Sequence, residues 1–202
     1  VLGLLWWLPF DPFEGTAGPL DQLVPDDVDA VARLDPSTLR RSPAAETVWE
    51  HESVQDLVRE TGLREQVLAP LEALEERLGR STLGMAPSLD RDVFGQEVVV
   101  ALRGDDVLLL SRVTGRARTL ELARRLDPGR LRAAGLHLDG DLAVLSRAEA
   151  PPVFLRRYRD VLAVSTSRSM AEGIAALGDA AESHGRRPQA FAEALDATRP
   201  PG

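Results

Sequence analysis

The chain contains no cysteine, which excludes disulfides, thiolate metal sites and cysteine nucleophiles, and is compatible with either a reducing or an oxidising compartment. Lysine and asparagine are absent as well, and isoleucine occurs once, at Ile174. These three residues have A/T-rich codons, so the bias points to a G+C-rich genome. The all-arginine basic complement is therefore no sign of phosphate recognition or thermal adaptation. Histidine is scarce too. His51, His137 and His184 lie far apart, none belongs to an H-E-x-x-H pattern, and His137 falls in a predicted strand, where a structural role is expected. There is no G-x-S-x-G elbow, S-x-x-K pair, Walker loop or G-x-G-x-x-G loop. The expectation is a chain without catalytic residues, cofactor or metal.

What is present is a chain of 202 residues, 44% hydrophobic and 28% charged, long enough for one main domain with a real core. Its net charge of −8 opposes general nucleic-acid binding. The charge is uneven: residues 1–102 hold 19 acidic residues against 8 arginines, residues 103–202 hold 13 against 16. Opening at Val1 and closing on Arg199-Pro200-Pro201-Gly202, the sequence reads as a fragment cut at both ends.

Residues 1–10 (VLGLLWWLPF) are apolar throughout. Alone they are too short to span a bilayer, but they suit the exit end of a longer span or signal segment. Trp6 and Trp7 fit the membrane–water interface, and the flank carries carboxylates but no basic residue before Arg33, which favours the outer side of a membrane. The competing reading is an N-terminal element packed on the core. Residues 11–22, rich in Pro, Gly and acid, read as a linker. The resulting organisation is a membrane or signal remnant with linker over 1–22, a domain over 23–182 and the start of a following segment over 183–202.

Within the domain, residues 28–34 alternate into a strand. Ser42-Pro43 and Ser53 open helical stretches. Leu63, Val67, Leu71, Leu74 and Leu78 then form one stripe at helical spacing, with Pro70 expected to kink or split that helix. From Glu97 the period changes to two. A phrase of Asp, four apolar residues and Ser occurs at 106–111, 141–146 and 160–165. Residues 97–103 pair through an Arg103-Gly104-Asp105-Asp106 turn with the first copy, and helix 116–126 follows, stopped by Asp127-Pro128-Gly129. Residues 136–146 form a hairpin, and residues 153–158 lead into the third copy and helix 168–177, capped by Ser167 or Ser169. A further short helix is expected over 188–198. The fold class is thus α+β: a mainly antiparallel sheet built from hairpins, helices packed on it, and two loosely similar strand–strand–helix repeats. The apolar runs do not alternate with polar residues, so both sheet faces need cover. Helices 63–78, 116–126 and 168–177 are expected on one face. More protein is expected on the other, whether N-terminal helices, a missing C-terminal half or a partner.

Two motifs invite functional readings. Arg103-Gly104-Asp105 spells an adhesion tripeptide, although a hairpin tip demands Gly-Asp in any case. Asp139-Gly140-Asp141 hints at a calcium loop but lacks the further ligands, so a hairpin turn is the better reading. The arginines Arg116, Arg118, Arg124 and Arg125 on helix 116–126 are the candidate patch for an anionic partner, against the simpler reading of a solvated helix face.

Three phrases resemble a known family: Leu23-Val-Pro-Asp-Asp-Val-Asp-Ala-Val-Ala-Arg-Leu34, Phe94-Gly-Gln-Glu-Val-Val-Val-Ala-Leu102 and Asp160-Val-Leu-Ala-Val-Ser-Thr-Ser-Arg-Ser-Met170. Together they resemble, in order, bacterial envelope proteins of the domain-of-unknown-function family numbered three-three-five-two, over about residues 23–180. Thr166 and Phe94 stand where that family usually has Asn and Leu. The resemblance implies an N-terminal membrane segment and a longer chain, and it implies no activity. The expected function is a non-enzymatic extracytoplasmic domain of a membrane-anchored protein of the cell envelope, structural or binding in role. The alternatives are a hydrolase completed by a C-terminal half, or a lipid or anionic-ligand binder.

Overall fold

The computed structural model describes residues 15–34, 59, 62–81, 97–113, 128–133, 135–146 and 150–184. Among these, seven strands build one sheet: β1 (Ala30–Leu34), β2 (Val98–Arg103), β3 (Asp106–Arg112), β4 (Leu136–Asp139), β5 (Leu142–Leu145), β6 (Val153–Tyr158) and β7 (Val161–Ser165). The helices are α1 (Ala69–Ser81), α2 (Pro128–Ala133) and α3 (Arg168–His184), with a 3-10 turn at Leu20–Leu23. Every neighbouring pair of strands is antiparallel, in the order β1-β2-β3-β7-β6-β5-β4. Two meanders, β1-β2-β3 and β4-β5-β6-β7, therefore meet where β3 pairs with β7. The α+β class read from the sequence is the fold observed.

The unbroken apolar runs explain how the sheet is covered. Because strand side chains alternate between faces, Val107 and Leu109 of β3 point one way and Leu108 and Leu110 the other. The first pair packs with Leu71 and Leu74 of α1 and with Val67 of the π-helical turn Arg64–Leu68 that precedes it. The second packs with Met170 and Ile174 of α3 and with Leu20, Leu23 and Val24 near the N-terminus. Each such side chain, fully buried, contributes roughly 1.5–3 kcal/mol. Patterning places helices 63–78 and 168–177 on one face, but the structure puts them on opposite faces. Four consecutive apolar residues leave apolar side chains on both sides, so one helix per face covers what two helices on one face would leave wet.

The three copies of the Asp-apolar-Ser phrase lie in β3, β5 and β7 and differ in phase. Val107, first apolar residue of its copy, packs on the α1 face. The corresponding Val161 and Leu142 pack on the α3 face. The phrase is a recipe for a doubly covered strand, used in both orientations. Its serine has a definite task in β7: Ser165 Oγ donates to the Val107 carbonyl at 2.7 Å and accepts the Ser167 N–H at 3.0 Å. Thr166 prolongs the pairing, donating its N–H to the Val107 carbonyl (3.0 Å) and accepting the Val107 N–H at Oγ1 (2.8 Å).

Helix boundaries differ from expectation at two places, while at Pro70 the helix changes type: Arg64–Leu68 adopt π geometry, with the Ala69 N–H bonding the Arg64 carbonyl, and α geometry begins at Ala69, beside the proline that lacks a donor. Pro128 starts α2 instead of only stopping a helix, since a first-turn proline lacks nothing the helix needs. Helix α3 runs through Gly178 to His184, seven residues beyond the predicted end. At Gly178 the ring of Tyr158 occupies the place a Cβ would take, so this glycine serves packing and does not terminate the helix. Ser167 precedes α3, and its carbonyl accepts the Ala171 N–H at 3.2 Å. Glu172 pairs with Arg168 one turn earlier.

Candidate functional site at the strap end of the sheet

Residues 15–24 have linker composition yet lie against the sheet as a strap. Leu20 and Val24 are 0% exposed and Leu23 is 1% exposed. The strap enters beside the β6–β7 turn, where a Cβ on Gly15 would lie 3.6 Å from the Arg159 guanidinium. It leaves at the opposite end of the strands, where Asp27 pairs with Arg103 and Asp29 accepts the Gly104 N–H at 2.6 Å. It thus crosses the α3 face from one end of the sheet to the other before β1 begins.

At its entry the strap is held by main-chain groups. The Ala17 N–H donates to Asp160 Oδ1 at 2.6 Å. Arg112 donates to the Ala17 carbonyl (3.2 Å) and the Gly18 carbonyl (2.7 Å), and Arg159 to the Thr16 carbonyl (3.3 Å). Arg112 also anchors a chain of alternating charges. Arg33 pairs with Glu97 at 2.7 Å, Glu97 with Arg112 at 3.2 Å, and Arg112 with Asp160 at 2.9 Å. The Asp160 and Glu97 side chains are only 12% and 19% exposed, so water screens these pairs poorly. All four carboxylate oxygens are engaged: Glu97 by two guanidiniums, Asp160 by Arg112 and a backbone N–H. Carboxylates so held are acceptors that fix geometry.

The β6–β7 turn completes this end. Arg159 has φ +53°, the one non-glycine residue with positive φ among the described residues. Its guanidinium reaches Glu182 at 2.5 Å and lies 5.4 Å from the centre of the Tyr158 ring. The Tyr158 hydroxyl donates to Asp179 at 3.1 Å. Burial, reinforced by this bond to Asp179, pushes the phenol up to about 12.

A second polar cluster occupies the opposite end. Arg103 pairs with Asp27 (3.0 Å) and Asp106 (3.4 Å) and donates to Ser167 Oγ (3.2 Å) and Ser169 Oγ (3.1 Å). Burial pulls the guanidinium pKa down, but the hydrogen bonds to Asp27 and Asp106 outweigh it and the net shift is upward. The arginine of the adhesion tripeptide is therefore engaged within the fold, and the Gly104 N–H is taken by Asp29. Asp139-Gly140-Asp141 is the β4–β5 hairpin turn, with Gly140 at φ +60°; Asp139 pairs with Arg168 and Asp141 with Arg156. Among the described residues no group of three or more His, Asp or Glu side chains converges to hold a metal. His137 is exposed on the edge strand β4, its Nδ1 3.3 Å from Ser146 Oγ.

Trp6, Trp7, Arg116, Arg118, Arg124 and Arg125 all lie outside the described residues, as do the helices expected over 116–126 and 188–198. Among the described residues no helix is long and apolar enough to cross a membrane. Sequence reasoning missed the clamp of Asp160, Arg112 and Arg159. The available signal was local: an Arg-Asp pair at a predicted turn and an Arg at the end of a buried strand, without a pattern to join them to residues 16–18. No family model, curated protein or solved structure matches this chain.

Proposed function

We propose that the chain is a non-enzymatic, extracytoplasmic domain of a membrane-anchored bacterial envelope protein, structural or binding in role, as its resemblance to that envelope family implies. The observation that carries this reading is the clamped strap. The segment that follows the apolar residues 1–10 is fastened to the β6–β7 turn within a few residues and then buried along the sheet. Such a connection suits a domain that must be held firmly to its anchor. The engaged carboxylates of the strap end support the non-enzymatic part. Fractionation of cells expressing the full-length gene tests the proposal: recovery with the membrane, and protease sensitivity from the outer side, are expected. Recovery as a soluble cytoplasmic protein overturns it.

A further inference from the structure

We infer that the domain stands on the membrane with one end of its sheet toward the lipid: the end formed by the β6–β7 turn, the last turn of α3 and the Arg33–Glu97–Arg112–Asp160 chain. The inference rests on the reading of residues 1–10 as a membrane segment and adds to it an orientation and a contact surface. Four residues, 11–14, separate Phe10 from Gly15. Even fully extended, that connection reaches at most about 18 Å. From Thr16 to Gly18 the backbone is pinned by Arg159, Asp160 and Arg112, so the tether has no slack beyond Gly15. The opposite end, with Arg103 and the Gly104-Asp105 turn, lies a full strand away. For the seven residues of β3 that is about 23 Å at the usual rise.

The chemistry of the near end fits a headgroup layer. Among the described residues of this end, Glu97, Asp160 and Glu182 are each paired with an arginine, and Asp179 accepts the Tyr158 hydroxyl. The Arg33 side chain, 56% exposed, has room to meet lipid phosphates. By contrast, at the far end Asp27 and Asp106 share Arg103, Asp29 accepts the Gly104 N–H and Asp105 stands exposed at the turn, a composition richer in acid.

These 202 residues hold no cysteine, so with any cysteine elsewhere in the full-length protein replaced by serine, an introduced thiol is the single labelling point. The full-length protein is reconstituted into vesicles of phosphatidylcholine and phosphatidylglycerol that carry a nitroxide on the lipid headgroup. A fluorophore is placed at S183C, exposed on the last turn of α3, or at D105C, exposed at the far turn. Quenching at S183C with none at D105C is expected. Equal quenching at both, or quenching at D105C alone, overturns the orientation while leaving the membrane anchor standing. Failure of the protein to float with the vesicles overturns the anchor and the orientation together. A flexible insert of about ten Gly and Ser residues between Phe13 and Glu14 adds roughly 18 Å of r.m.s. reach and should weaken quenching at S183C. Undiminished quenching with the insert overturns the tether as the cause.

Discussion

At the β2–β3 turn the residue with positive φ is Gly104; at the β6–β7 turn it is Arg159. Both are the first of two residues joining paired strands, the position where a type II′ hairpin needs left-handed backbone. Gly104 meets the requirement without steric cost and has open space where a Cβ would sit. Arg159 bears a cost of roughly 1–2 kcal/mol, offset by what its side chain does. It grips Glu182 on α3, the strap carbonyl at Thr16 and the face of Tyr158. The first turn is closed by backbone economy, with its polar contacts supplied by Arg103 and Asp29 outside the loop. In the second the turn residue itself joins the turn to two segments distant in sequence, the strap and α3. A strained residue thus marks where the fold fastens its N-terminal strap.

This contrast can be broken by substitution, with the largest effect at the aspartates beside the turns. Asp160→Ala removes the acceptor of the Ala17 N–H and leaves Arg112 half-paired in a poorly screened site. A loss of about 3 kcal/mol is expected. Asp106→Ala, whose pair with Arg103 is 39% exposed on the aspartate side, should cost less than about 1 kcal/mol. Urea unfolding of the two variants side by side checks this; equal losses would mean that the clamp adds nothing special.

Next come two glycines of the same helix. Gly178→Ala drives a methyl into the Tyr158 ring and should destabilise by roughly 1–3 kcal/mol. At Gly173 a Cβ would meet nothing within 4 Å, so Gly173→Ala should stabilise by up to about 1 kcal/mol through helix propensity. Thermal melts of both variants test for opposite signs.

Exchange of the turn residues themselves follows. Gly104→Ala should cost about 1 kcal/mol for its left-handed backbone. In Arg159→Gly, relief of strain and loss of the Glu182 and Thr16 contacts should nearly cancel, leaving a net change below about 1 kcal/mol. Double-mutant cycles of Arg159 with Glu182 separate the two contributions. The smallest effect concerns pH. Tyr158 is the chain's single tyrosine, so phenolate absorbance titrates it alone. Its folded pKa, about 12, lies above the ordinary value of 10.0. The protonated phenol is therefore favoured by folding; its contribution is fully present below pH 10 and is lost as pH rises toward 12. The absorbance midpoint should fall back toward 10.0 on unfolding in urea, and Tyr158→Phe should remove this part of the alkaline decline in stability.

Much of the sheet was legible because period-two runs, turn residues and a doubly apolar strand each have a direct physical cause. Strands 97–103, 136–146 and 153–165 and the 67–74 stripe fall where patterning put them. Which face each helix covers was not legible, since a strand apolar on both sides gives no sign of which helix lies on which side. The strap was hidden by its own composition: Pro19, Gly15 and Gly18 signal a loop, while Ala17, Leu20, Leu23 and Val24 are too few and unevenly spaced to signal burial. The clamp was illegible for a different reason. A carboxylate that caps a backbone N–H 143 residues away leaves no periodic trace.

That separation also sets the order in which the chain can assemble. The strap precedes every strand in the sequence, yet its acceptor lies on the turn before the last strand of the sheet, between Tyr158 and Val161. Until β7 has joined β3, neither Asp160 nor the apolar slot shared by Val161 and Ala163 exists for it to occupy. Closing so long a loop is slow as well as entropically costly. Residues 15–24 thus precede all seven described strands in the chain and can be fastened only after β7 has paired with β3.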